Sequence, residues 1–520
     1  MEKPGSPFYS GAGLLLLVLL VGCSQASAPT GSGQVLPPWI GEPPKAVPTS
    51  TPTVQPTMDP LMALFPTSPA EGESRPSPTP DPVREPPTFR TESDFYIVQP
   101  GDSLAAIAWR YGVGVEQLMT ANGIYNPNYL AVGQYLLVPA SEPLPTGPKV
   151  KLIPDAELIY GPSTAFFDAK AESEAWGGKL ATYREEVDGE RMSGGEIVEL
   201  VARRYSVNPR VLLTLLEYQG GWLTQAEVPL EAALYPLGYV DPQYEGLFSQ
   251  LSWAADQLNT GFYRWRAGWQ GPYIFPDGKV APPGPGLNAG TVGLQYLFSK
   301  LYFYTEWEHA VGEDGFIAVY QTYFGDPFQW AVEPLVPAEL EQPLMQLPFE
   351  DGATWSFTSG PHGAWGEGSA WAGLDFAPPG YALGCVLSNA WVTAVADGPV
   401  LRTDEGLVVQ SLDDDLHEGT GWVVVYLHVE SRDRVEAGVE LQAGDRIGHP
   451  SCEGGVSSGT HLHITRKYNG VWIEADGDLP FVMDGWVSAG TGREYDGTLT
   501  RNGVTLEACS CRAEGNQISR

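Results

Sequence analysis

The chain has few basic residues, and this scarcity excludes one large class of function. Its 520 residues include 29 Lys and Arg against 63 Asp and Glu, which gives a formal net charge of -34 at pH 7. Nucleic-acid binding depends on a basic face that displaces counterions from phosphates. The composition supplies no such face, so nucleic acid is excluded as a partner. The length predicts a multidomain protein of two to four domains.

Long hydrophobic runs are also scarce. The apolar run Leu14 to Val21 is far shorter than the ~20 residues that a membrane-spanning helix needs. It follows Lys3 and ends at Leu20-Val21-Gly22-Cys23, which resembles a bacterial lipobox. We therefore predict a lipoprotein signal peptide over residues 1–22 and lipidation of Cys23, so that the exported protein is anchored to the cell membrane and faces the cell wall. The alternative is a plain secretory signal in which this Cys occurs by chance.

Cysteine is rare, with five residues in the whole chain. Lipidation of Cys23 would leave four, namely Cys385, Cys452, Cys509 and Cys511. In the oxidising environment outside the cell, these four allow up to two disulfides. The sequence does not determine the pairing, although a bridge between Cys385 and Cys452 would leave the other two for each other.

A proline-rich stretch separates the signal segment from the first folded unit. It holds 17 prolines between Pro29 and Pro87, among Ser, Thr and Gly. Such a composition buries too little apolar surface to fold and favours extended backbone. Residues 23–92 are therefore predicted to be a disordered tether.

Residues 93–140 have the pattern of a small βααβ unit. A strand at Tyr96 to Val98 precedes a helix in which Leu104, Ile107 and Ala108 recur at helical spacing, with Asp102 or Ser103 as its cap. A second helix and the closing strand Tyr135 to Pro139 follow. This order resembles a LysM domain. The resemblance implies binding of glycans that contain N-acetylglucosamine, here peptidoglycan, with a groove at Gly101, Asp102, Ser103 and Asn122. The alternative is a spacer domain without a working groove.

Residues 150–345 are predicted to form a mainly α-helical middle domain of unknown role. Ser193 with Glu196 is a capping box, and Asn208-Pro209 opens a second helix. Further helices are predicted near 247–259, 291–306 and 316–323. The segment ending at Glu217 faintly resembles the acid-bearing helix of lytic transglycosylases, which would make Glu217 a second catalytic residue. The Tyr218-Gln219 that follows departs from that family, and a helix-end Glu with a packing role is the favoured alternative.

Histidine is concentrated in the last third of the chain. Six of the seven His lie between His362 and His463. In Gly459-Thr460-His461-Leu462-His463, the two imidazoles would project from the same face of a strand. His362 precedes Asp375 by thirteen residues, and His428 ends an apolar strand. Two imidazoles and one carboxylate are a common catalytic zinc set with an open position for water.

These motifs resemble the zinc endopeptidases of the lysostaphin and LytM type, and among them the staphylolysin and β-lytic branch. Most of that family has a His four residues before the Asp, where this chain has Trp371, whereas the staphylolysin branch places the His upstream in a Gly-rich loop. The resemblance implies one zinc ion per chain, bound by His362, Asp375 and His463. It also implies His461 as the general base and His428 as the group that stabilises the oxyanion.

The resemblance further implies an antiparallel β-sheet metallopeptidase domain over residues 347–480, acting on peptide stems or cross-bridges of peptidoglycan. We predict strands near 391–395, 406–410 and 421–428, a hairpin over 435–448, and a further hairpin in a C-terminal extension over 481–520. His309, His417 and His449 are assigned to packing. The alternative function is a non-catalytic peptidoglycan-binding scaffold or activator.

Overall fold

The computed structural model describes residues 34–35, 92–99, 102–127, 129–140, 145–268, 271–380, 382–413 and 415–520. The predicted signal peptide, Cys23, nearly all of the tether and Gly101 lie outside the described residues. The remainder confirms the predicted fold class, with a βααβ unit, a helical middle region and a C-terminal antiparallel sheet in chain order. Within the described ranges, no helix has both the length and the hydropathy needed to cross a bilayer.

The N-terminal unit pairs two short strands beneath two helices. Strands Asp94–Ile97 and Tyr135–Val138 are antiparallel, and helices Leu104–Tyr111 and Val115–Asn122 lie between them in sequence. The Ser103 hydroxyl accepts a hydrogen bond from the Ala106 amide at 3.1 Å, so Ser103 caps the first helix. Alternation along the strands buries Leu136 and Val138 against the helices.

Over the described ranges 145–268 and 271–345, the helical domain contains ten α-helices with short hairpins between them. The predicted capping box is present, because Ser193 and Glu196 exchange side-chain-to-amide hydrogen bonds. The predicted helix over 291–306 is instead two helices, since the backbone of buried Tyr302 is extended and its hydroxyl donates to Gln219. The helices are Asp155–Leu158, Ala169–Trp176, Lys179–Thr182, Gly194–Tyr205, Pro209–Gly220, Leu230–Leu234, Leu247–Arg266, Ala289–Leu301, Tyr304–Ala310 and Phe316–Phe324.

Short strand pairs complete this domain. They are Arg184–Val187 with Glu190–Ser193, Tyr273–Ile274 with Val280–Ala281, and Tyr239–Val240 with Gln34–Val35.

The C-terminal domain is organised around one antiparallel sheet. From edge to edge its strands are Glu440–Leu441, Gly398–Asp404, Leu407–Ser411, Trp422–Leu427, Leu462–Tyr468, Gly373–Ala377, Thr354–His362 and Gln517–Ser519, and Val471–Trp472 also pairs with Leu462–Tyr468. A separate strand pair joins Val392–Thr393 to Arg446–Gly448. The last strand of the chain thus closes one edge of the main sheet.

One expectation for this region was wrong and another was incomplete. The segment over 435–448 is not a hairpin, because Glu440–Leu441 pairs with the strand Gly398–Asp404 and Arg446–Gly448 pairs with Val392–Thr393. The C-terminal extension adds more than a hairpin. It forms a four-stranded meander of Val482–Met483, Trp486–Gly490, Gly497–Arg501 and Val504–Glu507, whose apolar side chains join the core under the main sheet.

Candidate metal centre

Three neighbouring strands bring the predicted zinc ligands together. Asp375 lies directly opposite His463 in the sheet, and Gly373 lies opposite His362. Residues paired across antiparallel strands share a face, so all three ligand side chains can meet. Gly373 is required for this arrangement, since a Cβ at that position would lie 2.2 Å from Cε1 of His463.

The three ligand atoms form a compact triangle. His362 Nε2 lies 2.9 Å from His463 Nδ1 and 3.2 Å from Asp375 Oδ1, and His463 Nδ1 lies 3.0 Å from the same carboxylate oxygen. Metal–ligand distances of ~2.0–2.1 Å in tetrahedral zinc sites separate the ligand atoms by roughly 3.3 Å. The donor set and its spacing therefore fit a zinc ion, and all three side chains are buried.

The electrostatics of the cluster suit metal binding. Burial would raise the pKa of Asp375, but the imidazoles of His362 and His461 outweigh burial and hold it well below its usual range. Burial lowers the pKa of His463. In His362 the Asp375 carboxylate outweighs burial, so the pKa is raised and a proton competes with the metal for this ring.

The other two predicted catalytic histidines lie beside the cluster. His461 Nε2 is 3.7 Å from Asp375 Oδ1, and the His428 ring centroid is 4.4 Å from that of His461. In both rings Nδ1 faces a backbone carbonyl. His461 Nδ1 lies 2.7 Å from the Gly459 carbonyl oxygen, and His428 Nδ1 lies 3.0 Å from that of Glu453. A carbonyl only accepts, so Nδ1 carries the hydrogen and Nε2 presents a lone pair.

This tautomer refines the role expected of His428. Burial, followed by the charges of His461 and His463, lowers the pKa of His428 to about 3. As a neutral ring with Nδ1 engaged, His428 can accept a proton at Nε2, and it can donate to an oxyanion only after it has gained one. Its backbone is left-handed, at φ 65°, which is uncommon for a residue other than glycine.

Tyr495 of the C-terminal extension contacts the metal-ligand triangle and was not predicted from the sequence. Its ring stacks on His362 with centroids 4.7 Å apart, and its carbonyl accepts from the Gly360 amide at 2.7 Å. The neighbouring Glu494 carboxylate accepts from the Gly363 amide at 3.3 Å. This segment therefore holds the strand end that carries His362. The only sequence signal was the Tyr495-Asp496-Gly497 turn, which does not reveal a contact with His362.

Trp371, at the position of the first ligand in most of the resembled family, does not take part in the triangle. Its carbonyl accepts from the Ala475 amide at 2.9 Å. The disulfide Cys385–Cys452 is present, as is Cys509–Cys511. His417 stacks on Tyr160, and the His449 ring packs at a tilt against Trp391, both outside the cluster.

The predicted glycan-binding residues that are described have internal contacts. The Asp102 carboxylate accepts from the Tyr96 hydroxyl at 2.6 Å and from the Gln99 amide at 2.7 Å. The Asn122 amide bridges the backbone of Leu118 and Leu137. Their role toward glycan stays a prediction.

Glu217 lies apart from the metal triangle, inside the helical domain. It is 3% exposed, and its carboxylate accepts from the amides of Leu223 and Thr224 and from the hydroxyls of Thr224 and Tyr323. These four hydrogen bonds engage the carboxylate within the helical domain itself. The contacts favour the helix-end role over glycan cleavage.

Comparison with known proteins finds matches to both N-terminal domains and to the C-terminal region. Residues 96–139 match the LysM domain model, and residues 151–339 match the model of the LasA N-terminal domain. Protease LasA of Pseudomonas aeruginosa is 26% identical over 299 residues, which cover 54% of this chain and 68% of that protein. The beta-lytic metalloendopeptidase of Achromobacter lyticus is 29% identical over 207 residues, covering 37% and 50%.

A solved structure described as the M23 metalloprotease pseudoalterin aligns with 34% of this chain and 99% of its own, at 24% identity and a TM-score of 0.29. No role was predicted for the middle domain from the sequence. This domain is the one that matches the LasA N-terminal model. The chain carries a LysM domain and a LasA N-terminal domain and is a homologue of Protease LasA and the beta-lytic metalloendopeptidases.

Proposed function

We propose that this chain is a zinc-dependent endopeptidase that hydrolyses peptide bonds in the stems or cross-bridges of peptidoglycan. The observation that carries the proposal is the buried triangle of His362, Asp375 and His463, whose ligand atoms all lie within 4.8 Å of one another. The names of the relatives, a protease and metalloendopeptidases, describe the same kind of reaction for those proteins.

The residues divide the chemistry between them. His362, Asp375 and His463 would hold one zinc ion, which activates water at neutral pH and polarises a carbonyl when it is bound. His461 presents the Nε2 lone pair beside the triangle and takes the proton of the attacking water. That proton then reaches the nitrogen of the leaving amine. His428 would donate to the oxygen that becomes negatively charged when its Nε2 has taken a proton from solvent.

The LysM domain and the N-terminal sequence support an activity in the cell envelope. LysM domains bind glycans that contain N-acetylglucosamine, so the domain at residues 96–139 would bring the peptidase to peptidoglycan. Residues 1–22 would direct export, and lipidation of Cys23 would anchor the chain to the membrane with the tether reaching toward the wall.

The direct test is the release of new amino termini from purified peptidoglycan by the full chain. We expect zinc-dependent release that His463→Ala abolishes and that His449→Gln, at a buried histidine outside the cluster, leaves intact. Binding to sacculi without release, or equal release by His463→Ala, would refute the peptidase and favour the non-catalytic scaffold.

A further inference from the structure

The ligand loop, residues 363–372 between the first two proposed ligands in the chain, is folded as one compact unit. At its neck the Ala364 amide donates to the Ala370 carbonyl at 3.0 Å. Nearer its tip the Trp365 amide donates to the Ser369 hydroxyl at 2.9 Å. A loop whose ends are bridged in this way moves as a body, so a displacement of the tip is transmitted to the neck.

The neck of the ligand loop orients one of the proposed metal ligands. The Ala364 carbonyl accepts from His463 Nε2 at 3.2 Å. A carbonyl only accepts, so Nε2 carries the hydrogen, and Nδ1 presents its lone pair toward the other two ligands. A hydrogen-bond partner on the second nitrogen fixes the tautomer and orientation of a metal-binding imidazole, and losing it typically weakens metal binding by about 10–100-fold. The position of the Ala364 carbonyl should therefore influence metal affinity.

The ligand loop packs against the helical domain. Its residues Ala364, Ala370 and Ala372 are buried in the apolar cluster that contains the side chains of the helices. The Trp365 ring lies edge-on to the ring of Tyr205 in the helical domain, with centroids 6.4 Å apart. The helical domain therefore forms the surface on which the loop rests.

The tip of the ligand loop is held by the helix Leu247–Arg266. The Asp256 carboxylate of this helix accepts from the Gly368 amide at 2.8 Å. A Cβ on Gly368 would overlap the Asp256 carbonyl oxygen and lie 2.6 Å from the Thr260 hydroxyl oxygen. The φ of Gly368 is outside the left-handed region, so the close approach of loop and helix is what requires glycine here.

Other polar contacts join the two domains at the sheet and do not involve the ligand loop. The Tyr263 hydroxyl, on the same helix as Asp256, accepts from the Trp472 amide at 3.0 Å. The Ser206 hydroxyl donates to the Gly470 carbonyl at 2.6 Å. The contact made by Asp256 can therefore be separated by mutation from the general attachment of one domain to the other.

We propose that Asp256 of the helical domain is a positioning residue for the metal centre. Its carboxylate holds the tip of the ligand loop, and the hydrogen bonds within the loop hold the neck. The neck carbonyl of Ala364 then keeps His463 in the orientation that binds metal. The helical domain thereby raises the metal affinity of the peptidase domain. The proposal rests on the proposed function, because the metal concerned is the zinc ion of the proposed endopeptidase.

The test measures the zinc affinity of the full chain by competition with a chromophoric chelator, with Asp256→Ala beside the conservative Asp256→Asn. Ala removes the acceptor for the Gly368 amide, so zinc should bind about tenfold more weakly, at the lower end of the range because the effect passes through the loop. Asn keeps an oxygen at that place and should bind zinc as wild type does. In the zinc-free chain, amide hydrogen exchange over residues 363–372 should be faster in Asp256→Ala and unchanged in Asp256→Asn.

Gly368→Ala tests the same contact from the side of the loop. Its added Cβ would displace the tip from the helix, so zinc affinity should fall about as far as in Asp256→Ala. The two changes together should cost little more than either alone, since both break one contact. Tyr263→Phe is the matched control, because it removes a hydrogen bond between the same helix and the sheet and leaves the loop contact in place. It should bind zinc as wild type does.

Three results would overturn the proposal while leaving the endopeptidase in place. They are wild-type zinc affinity in Asp256→Ala, an Asp256→Asn chain as weak as Asp256→Ala, and a Tyr263→Phe chain that loses as much affinity as Asp256→Ala. Should Asp256→Ala fail to fold, Gly368→Ala decides in its place, and wild-type affinity there would refute the proposal. A wild-type chain that binds no zinc would instead refute the proposed function, so the two failures are distinguishable.

Discussion

Replacing His362 with Ala should weaken zinc binding by about 10²–10³-fold. His362 supplies one of the three protein ligand atoms, at 2.9 and 3.2 Å from the other two. Structural zinc sites with four ligands bind with ~10–16 kcal/mol, or roughly 3–4 kcal/mol per ligand, and 1.4 kcal/mol is a factor of ten. Stacking of Tyr495 on the ring adds preorganisation that the variant also loses.

The affinity is measured by competition with a chromophoric chelator on the full chain at pH 7.5. Trp371→Phe and His449→Gln are the controls. Trp371 contacts Ala475 through its backbone carbonyl, and the His449 ring forms a hydrogen bond with the Ala390 carbonyl outside the cluster. Both should bind zinc within a few-fold of wild type. A His362→Ala variant whose zinc affinity lies within tenfold of wild type would show that His362 is not a ligand. It would also refute the prediction that His362 replaces the ligand that most of the resembled family has at the position of Trp371.

The zinc affinity measured in this titration should depend on pH. Although burial opposes it, the Asp375 carboxylate raises the pKa of His362 above 6.5, and the ring must lose this proton before it binds metal. Zinc affinity should therefore fall as the pH falls through the raised pKa, by up to about tenfold per pH unit. The His362→Ala variant lacks this proton, so its weaker affinity should depend less on pH over the same range.

Three further predictions follow from other buried groups. His461→Gln should bind zinc almost as wild type and lose about 10²–10⁴-fold in kcat/KM; retained activity would remove His461 as the base. Glu418→Gln removes the charge that pairs with fully buried Lys467, at 2.7 Å from Nζ, and with Arg402, at 2.6 Å from Nε, and should cost about 3–5 kcal/mol in urea denaturation. Adding Lys467→Met should recover part of that loss, and a double variant as unstable as the single one would refute the pairing argument. Burial raises the pKa of Asp256 to about 6, so unfolding free energy should rise as the pH falls from 6 toward 4. Asp256→Asn keeps an acceptor for the Gly368 amide and should add up to about 3 kcal/mol at pH 7 with a flatter pH profile; a loss of stability would contradict this.

Local signals predicted most of the helical starts and the histidine strand. The capping box at Ser193 and the Asn208-Pro209 start act within one turn, so the residues themselves determine where the helices begin. His461 directly precedes the strand Leu462–Tyr468, which contains His463, and the i, i+2 spacing of the two residues predicts by itself that they share a face. The proximity of His362 to His463 depends on the strand order of the sheet. It was predicted from the family resemblance and not from the spacing of the two residues in the sequence.

Long-range pairing explains what the sequence did not predict. Segment 435–448 has the alternation and turn residues of a hairpin, yet its two strands pair with partners 41 to 56 residues earlier in the chain. Tyr495 follows the His-x-His strand by more than thirty residues and reaches His362 only through the meander of the extension. Neither contact leaves a local pattern, because the partners are chosen by burial over the whole domain.

The structure also changes what should be regarded as the catalytic unit. The loop between His362 and Asp375 is held from the helical domain, where the Asp256 carboxylate accepts from the Gly368 amide at 2.8 Å. A Cβ at Gly368 would lie 2.0 Å from the Asp256 carbonyl oxygen, so the loop and the helix are in direct contact. A peptidase fragment without the helical domain would lose this contact and expose Val423, Val425 and neighbouring side chains of the metal-bearing face. Because apolar burial scales with the area covered, such a fragment should be less stable and its ligand loop less ordered. The metal centre is therefore best studied in the chain that contains both domains.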